Sequence, residues 1–159
     1  MDVTFWGTRG SIASAGSATQ RYGGNTAAVQ VTGRDGTILV LDAGTGIREI
    51  ADSLPTTLRR LDIFLSHLHM DHIQGLGFFA PMFIPSLEVH VWGPPSATLD
   101  LRRRLTRYLS PPLFPVRLRD LSSRRASPGV SVVRGPTARW PVSDSSSARS
   151  RFTTRSTWT

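Results

Sequence analysis

Over the first two-thirds of the chain, short runs of β-branched and aromatic residues alternate with segments of helical period. Val3-Thr4-Phe5-Trp6 reads as a strand that enters the glycine-punctuated turn Gly7-Thr8-Arg9-Gly10-Ser11, and a long loop then ends at Tyr22-Gly23-Gly24-Asn25-Thr26. Residues 28–32 and 37–41 flank Gly33-Arg34-Asp35-Gly36, and an Asp-Gly turn between two β-rich runs predicts a hairpin. Ile47, Ile50, Ala51 and Leu54 recur at helical spacing, with Pro55 as the stop. Residues 61–65 form a buried-type strand that delivers the chain to Ser66-His67-Leu68-His69-Met70-Asp71-His72. A short helix is expected over 73–79 and a strand over 87–92. Ser96 is expected to cap a helix through about Tyr108, with Leu99, Leu101, Leu105 and Leu109 inward and Arg102, Arg103, Arg104 and Arg107 on the wet side. Phe78, Phe79 and Phe83 are assigned to the core, and Val116-Arg117-Leu118 is expected to form one more strand after Pro111, Pro112 and Pro115. Strands alternating with helices define an α/β fold.

From about Ser122 both periods vanish. Ser and Thr make up 15 of the last 38 residues, too polar a stretch to offset its own ordering entropy. The chain therefore divides into a domain over 1–121 and a low-complexity Arg/Ser/Thr-rich tail over 122–159, expected to be either disordered or the product of a shifted reading frame. An arm that binds RNA is the functional alternative for this tail.

The charge follows the same boundary. The formal net charge of +8 comes from 19 basic and 11 acidic residues, and every basic residue is Arg. Of these, 12 Arg and 10 acids lie in residues 1–121, whereas 7 Arg face only Asp144 beyond them. The body is thus nearly balanced, unlike a nucleic-acid-binding surface that mixes Lys, Arg and aromatic residues on one face. At 159 residues the chain is long enough to bury a core. The absence of cysteine excludes disulfides and thiolate metal ligands. No apolar run approaches the roughly 18 residues of a membrane-spanning helix. Met1-Asp2-Val3-Thr4-Phe5-Trp6 lacks a basic start before an apolar run, so a cytoplasmic location without membrane association is expected.

The chemistry concentrates in six positions. His67, His69 and His72, with Asp71, are nitrogen and carboxylate donors suited to zinc. His67 and His69 are two apart, so an extended segment leaving a strand turns both to one side. Asp71 and His72 are adjacent where the chain begins to turn, and can address a neighbouring spot. Such an arrangement suits two metals about 3.5–4 Å apart that share a water or hydroxide. His90, between Val89 and Val91, is read as a structural residue of its strand. Asp42 reads as a cap for Gly44–Gly46, since Asp is a favoured capping and turn residue.

The run His67-Leu68-His69-Met70-Asp71-His72 resembles the signature of the metallo-β-lactamase fold hydrolases. The flanking segments are Phe5-Trp6-Gly7-Thr8-Arg9-Gly10-Ser11, Arg21-Tyr22-Gly23-Gly24-Asn25-Thr26, Leu41-Asp42-Ala43-Gly44-Thr45-Gly46 and Asp71-His72-Ile73-Gln74-Gly75-Leu76. They look like the phosphodiesterase-like branch, which includes ribonuclease Z and cyclic-phosphodiesterase relatives. The resemblance covers about residues 1–120. It implies the N-terminal half of an αββα sandwich, with His67 and His69 on a first zinc and Asp71 and His72 on a second. It further implies attack on phosphorus by a metal-bridging hydroxide that Asp71 orients, and Asp42 as the carboxylate that steadies the ligand loop. Mn²⁺ or Fe²⁺ would suit the same donors. Gly7–Ser11 and Gly23–Thr26 would lie at the site rim.

The family completes its site with two more His and a bridging Asp downstream. After His72 this chain offers only His90, Asp100, Asp120 and Asp144, none in a matching motif, so it is expected to be an N-terminal half with impaired or no activity. The expected function is that of a zinc-dependent hydrolase of phosphodiester bonds, in RNA ends or cyclic nucleotides. The alternative is a non-catalytic metal-binding remnant or interaction module. A half-sandwich leaves one sheet face open, which is compatible with a homo-oligomer.

Overall fold

The computed structural model describes residues 1–116, 131–134 and 151–154, the last two segments as backbone strands. Strand β1 (Asp2–Gly7) pairs antiparallel with β2 (Ala28–Thr32), which pairs antiparallel with β3 (Ile38–Leu41). The β2–β3 hairpin closes as its sequence predicts. Gly33 N–H donates to the Thr37 carbonyl at 2.8 Å, and Gly36 takes a φ of 82°, a conformation natural to glycine.

Helix α1 (Ile47–Ser53) then carries the chain over the sheet to β4 (Arg60–Phe64), parallel to β3. After helix α2 (Met70–Ile73), two short 3₁₀ turns, Leu76–Phe78 and Ala80–Phe83, lead to β5 (Glu88–Gly93), parallel to β4. Helix α3 (Leu101–Tyr108) follows. Strands β6 (Ser131–Arg134) and β7 (Arg151–Thr154) extend the two edges, giving the order β6-β5-β4-β3-β2-β1-β7. The α/β architecture expected from the sequence is the one observed.

Alternation along the strands sorts their side chains onto two faces. Ala28, Val40, Leu61, Ile63, Val89 and Val91 point to one side and are almost wholly buried. Ile47 and Ile50 of α1, Leu76, Phe79, and Leu101 and Leu105 of α3 close over them. The opposite positions form a row across five strands, Phe5-Val29-Leu41-Phe64-Trp92, related by strand register. This second face stays partly open: Leu41 is 40% exposed, and Phe64 and Trp92 stack at 5.7 Å while half-buried.

Several local expectations are corrected. The helix expected over 73–79 begins earlier, at Met70, and breaks into the two 3₁₀ turns, because Gly75, Gly77 and Pro81 interrupt the α pattern. Asp100, not Ser96, caps α3: its carboxylate accepts from Arg103 N–H at 2.7 Å. Ser96 instead accepts from Thr98 N–H at 3.3 Å in the preceding turn. Arg104 is not on the wet side. Its guanidinium lies against the Pro94 carbonyl, and Nε is buried with no hydrogen-bond partner. Phe79 is core, but Phe78 and Phe83 are 62% and 47% exposed. Of the strand expected at Val116-Arg117-Leu118, residues 117 and 118 lie outside the described residues, as does most of 122–159.

No helix among the described residues is long and apolar enough to cross a membrane.

Candidate metal centre

Parallel β3 and β4 end side by side, and the turns leaving them meet. Asp42 follows β3 with a φ of 60°, a left-handed conformation that Asp tolerates better than most residues. Its N–H donates to the Phe64 carbonyl, the last residue of β4, at 2.8 Å. That turn aims the Asp42 carboxylate at the segment leaving β4. There Oδ1 accepts from Ser66 N–H at 2.8 Å and lies 2.9 Å from Ser66 Oγ. Gly44 and Gly75 allow the closest approach between the two loops. A Cβ at Gly75 would fall 2.1 Å from the Gly44 carbonyl oxygen, and one at Gly44 would fall 2.3 Å from that of Asp71.

The three histidines gather on this platform. The His67 ring lies 4.0 Å from that of His72 and 4.5 Å, edge-on, from that of His69. Extended backbone at His69 gives way to α2, which carries Asp71 and His72 in its first turn. His72 Nδ1 lies 3.0 Å from Asp42 Oδ2, and its Nε2 lies 3.4 Å from Asp71 Oδ2. Asp71 is only 9% exposed, and its Oδ2 accepts from Ser11 N–H at 2.7 Å, across 60 residues of sequence. This backbone donor holds the Asp71 carboxyl below the usual carboxylate range; burial opposes it, and the imidazoles of His72 and His67 add to the lowering only when protonated.

All four expected donors, His67, His69, Asp71 and His72, are thus brought into one cluster, with Asp42 against it. Asp42 does not cap the following helix, which has no side-chain cap. The sequence reading overlooked Ser66 and the Ser11 N–H. Ser66 carried a signal in its position, a hydroxyl immediately before the histidine run, whereas nothing local marks which amide of the Gly7–Ser11 turn meets Asp71. His90 stands apart on β5 with Nε2 3.3 Å from Glu88 Oε2. Of the candidate downstream acids, Asp100 is committed to its cap, and Asp120 and Asp144 lie outside the described residues.

Fit to a metal divides into kind and number. In kind the donors suit a divalent cation. With a neutral His72 donating from Nδ1 to Asp42, Nε2 presents a lone pair to Asp71 Oδ2 across 3.4 Å. Two atoms each about 2.1 Å from a tetrahedral zinc stand roughly 3.4 Å apart. In number they fall short: among the described residues, no group of three or more such side chains is arranged to hold a metal ion.

A parallel-rich α/β sheet with a histidine–aspartate cluster at its strand ends is the class defined so far. A model of the beta-lactamase superfamily domain matches residues 37–146, and the chain belongs to that superfamily. Its curated relatives include ribonuclease Z of Deinococcus radiodurans, 42% identical over 81 residues, spanning 48% of this chain and 24% of that protein. Ribonuclease Z of Natronomonas pharaonis is 32% identical over 123 residues, spanning 76% of this chain and 37% of that protein. The chain therefore spans well under half the length of the curated relatives it matches. Among solved structures, human tRNase Z, short form, superposes with a TM-score of 0.52 at 21% identity, covering 97% of this chain and 50% of that one, which supports the fold.

Proposed function

We propose that the cluster at positions 67–72 is part of the metal centre of a phosphodiester hydrolase of the ribonuclease Z type. His67 and His69 would hold one divalent cation, Asp71 and His72 a second, with zinc foremost and Mn²⁺ or Fe²⁺ as substitutes. The observation that carries this reading is the His72 Nε2 to Asp71 Oδ2 separation of 3.4 Å, beside two further imidazoles. Bound there, such cations would supply the positive charge that acidifies a water and offsets that of the substrate phosphate. The chain's own residues do the rest. Ser11 N–H keeps Asp71 ionised and aimed into the site, so that its carboxylate can orient the attacking water. Asp42 fixes His72 through Nδ1. The names of the relatives favour RNA as substrate. Small phosphodiesters, such as cyclic nucleotides, belong to the same proposal.

A second reading is favoured by the shortfall in ligand number among the described residues: a metal-binding protein or interaction module without turnover. One experiment separates them. Zinc binding is measured by titration calorimetry and hydrolysis with bis(p-nitrophenyl) phosphate, for the wild type, His67→Ala and Asp71→Ala. Zinc-dependent turnover that falls at least 100-fold in both variants supports the hydrolase, a loss on the scale of removing a catalytic group. Zinc bound without turnover assigns the second reading. A wild-type chain that takes up no zinc overturns both.

A further inference from the structure

Ser66 has a single hydroxyl proton and three neighbours competing for it. Its Oγ lies 2.9 Å from both Asp42 oxygens and 3.0 Å from His67 Nδ1. His72 Nδ1 is at 3.5 Å, but lies nearer Asp42 Oδ2, at 3.0 Å. If the hydroxyl donated to His67, its oxygen would face a carboxylate at 2.9 Å with no proton between them, two acceptors in repulsive contact. Donation to Asp42 removes that conflict and leaves the serine lone pair to accept from His67 Nδ1–H. The second imidazole is handled without an intermediary, because His72 Nδ1–H reaches Asp42 itself. The Ser66 N–H is bound to the same carboxylate, at 2.8 Å from Asp42 Oδ1, which holds the backbone from which the hydroxyl projects against Asp42.

We propose that Ser66 is a positioning residue, and that the one Asp42 carboxylate sets the tautomers of two imidazoles, His72 by direct contact and His67 through the Ser66 hydroxyl. Both rings then carry their proton on Nδ1 and present Nε2 as the bare donor. The inference rests on reading His67 and His72 as metal ligands for its purpose, but not for its geometry. A ligand imidazole with the wrong nitrogen protonated must shift its proton before it can bind, and a supporting contact of this kind is typically worth 10–100-fold in metal affinity.

The test uses the full chain, stripped of metal by chelation, at an alkaline pH at which the imidazole ¹⁵N shifts no longer change with pH. Imidazole ¹⁵N chemical shifts are read by long-range ¹H–¹⁵N correlation for the wild type, Ser66→Ala, Ser66→Thr and Asp42→Asn. Zinc affinity is read separately by competition with a chelating dye. The expected wild-type result is protonated Nδ1 on both His67 and His72. Ser66→Ala should mix the tautomers of His67 while leaving those of His72 unchanged, and should weaken zinc 10–100-fold. Ser66→Thr, which keeps the hydroxyl, should restore both, and Asp42→Asn should disturb both rings. A general loss of structure would move both rings alike in Ser66→Ala. A wild-type His67 protonated on Nε2, or a Ser66→Ala variant with unchanged His67 shifts, overturns the proposal. Failure of the wild type to bind zinc overturns the ligand reading instead, and the metal-free spectra tell the two failures apart.

Discussion

Asp71 and Asp62 are held ionised by unlike partners. Asp71 relies on the Ser11 amide, whereas Asp62 relies first on the Arg60 guanidinium, at 2.8 and 2.9 Å, and then on the Trp92 indole N–H at 2.8 Å. Both carboxyls are shifted below the ordinary range, so each binds a proton less readily in the folded chain than in the unfolded one. The stability they contribute is therefore present above the unfolded value of about 4 and is lost as pH falls through the lower folded values. Urea unfolding between pH 2 and 7 should show the midpoint falling below about pH 4. In Asp62→Asn that acid decline should be shallower and the neutral-pH midpoint lower, modestly so because Arg60 is largely exposed and screened by solvent. An unchanged acid profile would remove Asp62 from the account.

Between elements, the contact that makes the site is backbone against backbone. Gly75 lies on the Gly44 carbonyl, and Gly75 N–H donates to the Ala43 carbonyl at 2.9 Å, pinning the end of α2 to the turn that carries Asp42. A methyl group there meets backbone rather than a yielding side chain. Gly75→Ala should cost about 1–3 kcal/mol in chemical unfolding. It should also change the imidazole spectra, because α2 carries Asp71 and His72. Gly10→Ala is the control, since a Cβ there meets nothing within 4 Å; its effect should stay within about 0.5 kcal/mol. Equal effects of the two substitutions would show that the Gly44–Gly75 approach does not hold the site.

At the scale of the whole molecule, ligand binding and folding are linked. The proposed donors all follow β4, and they are tied to the segment after β3 through Asp42 and to the loop after β1 through Ser11, so a cation bound by them would couple three parts of the sheet. Zinc at about 100 times its Kd should add about 2.7 kcal/mol, a rise in thermal midpoint on the order of 5–10 °C for a chain of this length. Differential scanning fluorimetry with zinc, and again after excess EDTA, checks this. Superimposable melting curves would contradict the proposed centre.

The α/β class, the hairpin at Asp35-Gly36, α1 and the histidine–aspartate cluster were all legible in the residues, because strand and helix periods and the spacing of His67, His69, Asp71 and His72 are local properties of the chain. Other features were settled by competition or by distance. Asp100 displaced Ser96 as the α3 cap because its carboxylate sits one residue before the first helical turn, where the Arg103 amide needs an acceptor. Phe78 and Phe83 took solvent while Phe79 took the core, a choice made by 3₁₀ turns that no apolar count anticipates. The Ser11–Asp71 and Ser66–Asp42 hydrogen bonds span 60 and 24 residues. Their partners are decided by which strand ends adjoin in the folded sheet, so the clustered histidines and Asp71 could be found in the sequence, but the contacts that orient them exist only in three dimensions.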